Sequence, residues 1–228
     1  MLAKKKKFSK KEMKEDKLVT VYYETVDFVK KYHKHILSVF AGVIVAIFAV
    51  YYFIDAAATK NVKAAGELSK VLVLYNSGLY KEAIEVRAGT DITGLKAIVE
   101  NYGGSENGEV ARIYLANCYF YTGEFEKSIE QFEDYSGDNS LFKSASLAGI
   151  AACNADLGNY GQAADYYLKA SEKDKVNPLN SEYLLNAGIN YLRSGDKATA
   201  KDVLNIIKKD YAKSAENTMA DRYLAECG

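Results

Sequence analysis

Hydrophobic and polar positions change their period along the chain. Leu18, Val21, Tyr22, Val26, Val29 and Tyr32 recur at steps of one to four residues, which predicts a helix with a single apolar face. From Ile36 to Ile54 (ILSVFAGVIVAIFAVYYFI) the alternation disappears, and nineteen consecutive residues carry no charge. At about 1.5 Å per residue such a helix reaches roughly 28 Å, close to the ~30 Å hydrocarbon core of a bilayer. Beyond residue 64, apolar and small residues return at helical spacing, in runs punctuated by glycine.

The flanks sharpen the membrane reading. Lys30, Lys31 and Lys34 stand at one end with His33 and His35 among them. Tyr51 and Tyr52 close the other, where amphipathic rings favour the membrane–water boundary. A transmembrane helix over 36–54 is the expectation. A core helix would need a large protein to cover every face. A signal peptide normally has a shorter apolar run and a shorter basic region, and Ala56-Ala57-Ala58 keeps cleavage open as the alternative.

Charge then sets the orientation. The formal net charge of zero conceals eleven Lys and five acids in residues 1–35 against 19 Lys+Arg and 25 acids in residues 55–228. Residues 55–89, as long as the lead-in, hold only five Lys+Arg. The basic side is expected to stay in the cytoplasm and the rest to lie across the membrane, in the periplasm of a bacterium with two membranes. Residues 4–14, with seven Lys, are expected to be a disordered topology signal that attracts anionic lipid. The run is short and lacks Arg, so no nucleic acid is expected as a partner. The apolar face of residues 18–32 is expected to lie along the membrane or to dock on a membrane partner. Three regions result: a cytoplasmic lead-in (1–35), a span (36–54) and a repeat domain (55–228).

Four segments of the repeat domain share a glycine between helical runs: SGLYKEAIEV, TGEFEKSIEQF, LGNYGQAADYY and SGDKATAKDVL. Their glycines are Gly78, Gly123, Gly158 and Gly195, with steps of 45, 35 and 37 residues. Glycine takes the left-handed conformation that ends a helix, so each unit predicts helix–turn–helix. On these residues the chain resembles the tetratricopeptide repeat family over roughly residues 64–228. Aligning the glycines places Leu115, Ala116, Tyr119, Phe125, Ile129 and Phe132 on the family pattern in the second unit. Ile150, Ala151, Tyr160, Ala163 and Ala170 follow in the third, and Ala187, Gly188, Tyr191 and Ala200 in the fourth. The repeat Trp is absent and only Pro178 stands near the expected Pro. The first unit matches least, and an irregular stretch from Ala88 to Gly94 lengthens its step. The resemblance implies an all-α solenoid of helix pairs.

A second internal match sets Ser105 on Ser214, Ala111 on Ala220, Tyr114 on Tyr223, Leu115 on Leu224 and Cys118 on Cys227. The last helix is therefore a first-helix that covers the final apolar face. In this register Cys118, Cys153 and Cys227 share one position between helices, too far apart to pair.

Catalytic chemistry is not expected. The two histidines, His33 and His35, sit beside the span, so the repeat domain has no Ser–His or Cys–His dyad. Gly103-Gly104 and Gly108 lack the GK[ST] ending of a phosphate loop. No cofactor and no metal site are expected. What remains is a surface. The resemblance implies that first helices line a concave groove, with Ile113, Asn117, Phe120 and Tyr121 from the second unit. The third contributes Ala148, Ala152 and Asp156, and the fourth Leu185, Ile189, Leu192 and Arg193. Either a protein ligand, another helix of the same chain or a second copy fills it.

Lead-in, single span and repeat domain together are similar to the ancillary SecYEG translocon subunit family. That resemblance implies export-linked partners: unfolded exported chains, the translocon and periplasmic chaperones. IVENYGGS and KKDYAKS are similar to repeat proteins of outer-membrane assembly and of the Tol–Pal system, so a scaffold for envelope assembly or cell division stays open.

Overall fold

The computed structural model describes residues 10–86 and 89–228, and the described elements are all helical. The chain divides into two compact units, Met1–Ala56 and Ala57–Gly228. The first unit is helical from Lys10 onward, as part of α1 (Lys10–Asn76). Its apolar residues, from Leu18 through Ile54, are exposed with the exception of the half-buried Val26. A stretch of α1 is long and apolar enough to cross a membrane, and none of it is buried in the single chain. The expected disorder of residues 4–14 falls outside the described residues up to position 9. Lys10–Lys14 are helical instead, since Lys, Glu and Met are good helix formers and run in frame into α1.

The second unit contains the end of α1, then α2 (Tyr80–Ile84), α3 (Leu95–Tyr102), α4 (Glu106–Tyr121) and α5 (Phe125–Glu133). α6 (Ser140–Asp156), α7 (Tyr160–Lys173), α8 (Asn180–Ser194), α9 (Lys197–Asp210) and α10 (Glu216–Cys227) complete it. The four repeat glycines are left-handed, with φ of 74°, 81°, 81° and 90°. The chain reverses identically at each. The Gly123 N–H donates to Phe120 O and the Glu124 N–H to Tyr119 O. Gly158 and Asn159 bond Ala155 and Asn154, while Gly195 and Asp196 bond Leu192 and Tyr191. Gly78 and Leu79 bond Tyr75 and Leu74. These pairs satisfy carbonyls that a helix end leaves open, and a Cβ at the glycine would strain the turn.

The return junctions are capped by side chains. Ser105 Oγ accepts from the Gly108 N–H that starts α4, and Asn139 Oδ1 accepts from the Leu141 and Phe142 N–H groups that start α6. Three clusters make the core. Leu68, Val71, Leu95, Ile98, Leu115 and Cys118 bind the first helices together. Ile113, Ala116, Phe132 and Ile150 form the middle, and Leu184, Leu185, Tyr191, Val203, Leu204 and Ile207 the end. Gly149 and Gly188 let second helices approach: a Cβ there would stand 2.3 Å from the Phe132 ring and 2.6 Å from Leu204. α10 packs on α8 and α9, as the internal match requires.

The first pair departs from the others. Its second helix is split into α2, of five residues, and α3, with the stretch around Gly94 between them. Gly94 has no room for a side chain, since a Cβ would lie 2.7 Å from Ile84 O. Polar bonds tie later segments back to α1 instead. Thr93 Oγ1 donates to Glu67 Oε2 at 2.6 Å, and the Asn107 N–H and Nδ2 both donate to Asn61 Oδ1 at 2.8 Å.

Candidate protein-binding face

First helices α4, α6 and α8 each follow a return junction, and α4 touches α6 directly. The predicted groove residues fall into three groups. Asn117, Phe120, Ala148, Ala152, Ile189 and Leu192 are half-buried, while Tyr121, Asp156 and Arg193 are more open, Tyr121 at 56%. Ile113 and Leu185 differ from the sequence expectation. They are only 7% and 5% exposed, because their side chains complete the middle and end cores. One helix has two apolar neighbours, and periodicity alone does not say which residue serves the neighbour and which the open face.

At the α4 end the face is aromatic. Tyr121 stacks on Tyr80 at 4.6 Å with 20° between planes, and Phe120 meets Tyr121 at 5.6 Å and Phe125 at 5.7 Å. Tyr75 joins from α1, 4.8 Å from Tyr114 and 5.5 Å from Tyr80. Burial pushes the Tyr75 phenol up to about 12, so it stays a neutral hydrogen-bonding group at any physiological pH. At the α8 end the Arg193 guanidinium lies 5.6 Å over the Tyr160 ring. α6 carries Ala148 and Ala152, both half-buried, with Ala145 and Ala155 on the same helix.

Two features escaped the sequence. Glu109, 3% exposed, accepts from the Gly104 N–H at 3.0 Å and the Ser136 N–H at 2.8 Å, and Arg112 Nε stands 3.5 Å from it. It joins two return junctions, a structural task; an acid in the first turn of a helix was the available signal. Depressions also run between successive second helices. One of 510 Å³ is lined by Lys96, Leu115, Tyr119 and Gln131, one of 350 Å³ by Phe132, Leu147, Ile150 and Tyr166, and one of 540 Å³ by Leu168, Leu184, Ile206 and Tyr211. They arise because the intervening first helix is recessed, which requires the packed structure to see.

The Cys118 thiol is buried and pushed up to about 12, and burial raises that of Cys153, whose Sγ donates to Ser128 Oγ. Cys227 is half-buried, and the three thiols are free. Among the described residues no group of three His, Cys, Asp or Glu stands together as metal ligands.

The fold is that of TPR-like helix repeats, preceded by one apolar helix. A family described as tetratricopeptide repeat matches residues 182–214, the α8/α9 pair. Two crystal structures of nearly identical TPR-like repeats, from a Podosopora anserina protein described as a kinesin light chain, share the fold. One of the two is a single-substitution variant; both are 16% identical, with a TM-score of 0.56, over 72% of this chain. They are covered over 84% and 85% of their own length. No curated protein matches the chain.

Proposed function

We propose that the chain is a membrane-tethered binding module of the cell envelope. Residues 36–54 cross the inner membrane, the Lys-rich lead-in stays in the cytoplasm, and the repeat domain from residue 55 works in the periplasm. Support for the tether is the exposed apolar stretch of α1 between a lysine-rich flank and Tyr51-Tyr52. The binding face consists of the exposed and half-buried members of the groove: Asn117, Phe120, Tyr121, Ala148, Ala152, Asp156, Ile189, Leu192 and Arg193. The single observation that carries it is the row of half-buried alanines, Ala145, Ala148, Ala152 and Ala155, along first helix α6. Small residues leave space for a partner's apolar side chain or helix, and the rings give contact area at low entropic cost. The partner class is an extended or unfolded exported chain, received at the Sec translocon and passed to periplasmic chaperones.

Co-purification from mild detergent tests this. Translocon subunits with many exported chains support the reading; a small fixed set of envelope-assembly or division proteins replaces it with a scaffold. Ala152→Arg places a cation where the partner's apolar group would lie. Capture is expected to fall about a hundredfold, since an unpaired buried charge costs several kcal/mol, with helix content and melting unchanged. Unaltered capture would move the contact to the depressions between second helices.

A further inference from the structure

The return junctions, which precede α4, α6, α8 and α10, are tied to one another along one edge of the second unit. Lys60 Nζ donates to Gly103 O at 3.0 Å and Asn61 Oδ1 accepts from the Asn107 N–H, close to where the chain enters the unit at Ala57. Glu109 joins Gly104 to Ser136. The Ser140 hydroxyl donates to Asp174 Oδ2 at 2.5 Å, and the Ser181 hydroxyl to Glu216 Oε2 at 2.9 Å. We propose that this edge rests on a lipid bilayer surface, with Val176 and Leu179 of the α7–α8 junction inserted among the headgroups.

The α7–α8 junction inverts the usual order of burial. Asn177 and Asn180 are buried, while Val176 is 86% exposed and Leu179 45%. Hydrogen bonds fix this tip. Asp174 Oδ1 accepts from the Val176 N–H at 3.0 Å, Asn177 Oδ1 accepts from the Leu179 N–H at 3.0 Å, and Asn180 Nδ2 donates to Asp174 O at 2.7 Å. The asparagines hold the loop, and two aliphatic side chains stay outside. Through Ser140, the same Asp174 carboxylate draws in the start of α6, where Leu141 is exposed. Residues 175–179 contain Lys175 and no acid, and residues 211–215 of the α9–α10 junction contain Lys213 and no acid. Asp174 and Glu216 flank these stretches, and both carboxylates already accept hydrogen bonds. Asp138, in the neighbouring junction, has Lys143 3.9 Å away. Aliphatic tips beside lysines suit an anionic headgroup layer.

The tether selects lipid over a protein partner. Asn61 follows Ile54 by seven residues, roughly 10 Å of helix. With 36–54 in the bilayer, its surface stays near the start of this edge whatever angle the two units take. The surface is then met at the high effective concentration of an intramolecular contact. A domain held by one end of an edge either swings free or lies down on it. Aliphatic side chains fixed outward further along the edge favour the second state, because there they leave water. The contact rests on the anchor reading and is independent of the groove.

The chain has no Trp, so a single introduced one reports on its own surroundings. Val176→Trp and Leu141→Trp probe the edge, and Leu157→Trp probes the opposite end of α6. The full chain is reconstituted in vesicles of phosphatidylethanolamine and phosphatidylglycerol with brominated acyl chains, which quench Trp only on contact. Quenching of Val176→Trp and Leu141→Trp is expected to be about fivefold that of Leu157→Trp, and adding Val176→Glu should reduce it at Leu141→Trp about threefold. Equal quenching at all three sites, or none at Val176→Trp, overturns the contact. A benzophenone on Val176→Cys, with Cys227→Ser, repeats the test in native membranes. Lipid adducts support the contact, and a protein adduct of discrete mass overturns it by identifying a protein occupant. Flotation of the vesicles separates the two failures. Floating protein with an unquenched Val176→Trp sinks the edge contact alone, and protein that does not float sinks the anchor together with it.

Discussion

The first helix pair and the α8/α9 pair turn the chain in the same way and then diverge. Gly78 and Gly195 have φ of 74° and 90°, and each is followed by a residue near φ −84° whose N–H closes the same bond. Yet α9 continues for 14 residues and buries Ala200, Val203, Leu204 and Ile207, whereas α2 stops after five and buries Ala83 and Ile84. The turn is a local event fixed by glycine. Helix length is fixed by how many apolar positions follow in phase, and after Ile84 the phase is lost until Leu95. Core continuity is kept in the first pair by α3, which supplies Leu95, Ile98 and Val99 as a second piece of the same wall.

Cavity-forming substitutions separate the pairs most. Leu204→Ala should cost about 4 kcal/mol and Ile84→Ala about 2 kcal/mol, because a five-residue helix beside an irregular segment relaxes into the space more readily. Hydrogen exchange on the detergent-solubilised chain checks this. α8–α10 amides should lose protection with Leu204→Ala, while α2 amides exchange fast already in the parent. Equal losses would mean α2 is as rigid as α9.

The junction between the pairs comes next. Gly108 packs so closely on α3 that a Cβ would stand 2.0 Å from Tyr102 O, a backbone atom. Gly108→Ala is therefore expected to cost about 3 kcal/mol, read as a lowered urea midpoint. At the turns the comparison should vanish. Gly78→Ala and Gly158→Ala should each cost about 1 kcal/mol through the left-handed backbone alone. A twofold difference between them would show that one turn carries a tertiary load.

The smallest effect is kinetic. In native protein Cys227 should react with a thiol reagent first, and Cys118 and Cys153 only on unfolding. Cys118 and Cys153 are buried, and burial raises both thiols, that of Cys118 to about 12, so raising the pH from 7 to 9 should leave Cys118 unreactive. Rapid native labelling of Cys153 would break the repeat register.

Much of this was legible along the chain. Four glycines at helix ends, an uncharged run of nineteen residues and three cysteines in one register are local or periodic facts, and such facts survive folding unchanged. The left-handed turns, the helix pairs and the buried Cys118 and Cys153 follow from them. Packing decided the rest. Ile113 and Leu185 share the periodicity of Ala152 and Ile189, but they serve the cores, because the neighbouring helix happens to cover them. Glu109 resembles any acid in a first turn until two distant loops bring their N–H groups to it. The depressions between second helices, likewise, belong to no single segment. A sequence states which side of a helix is apolar; only the position of the next helix determines how much of that side remains open to a partner.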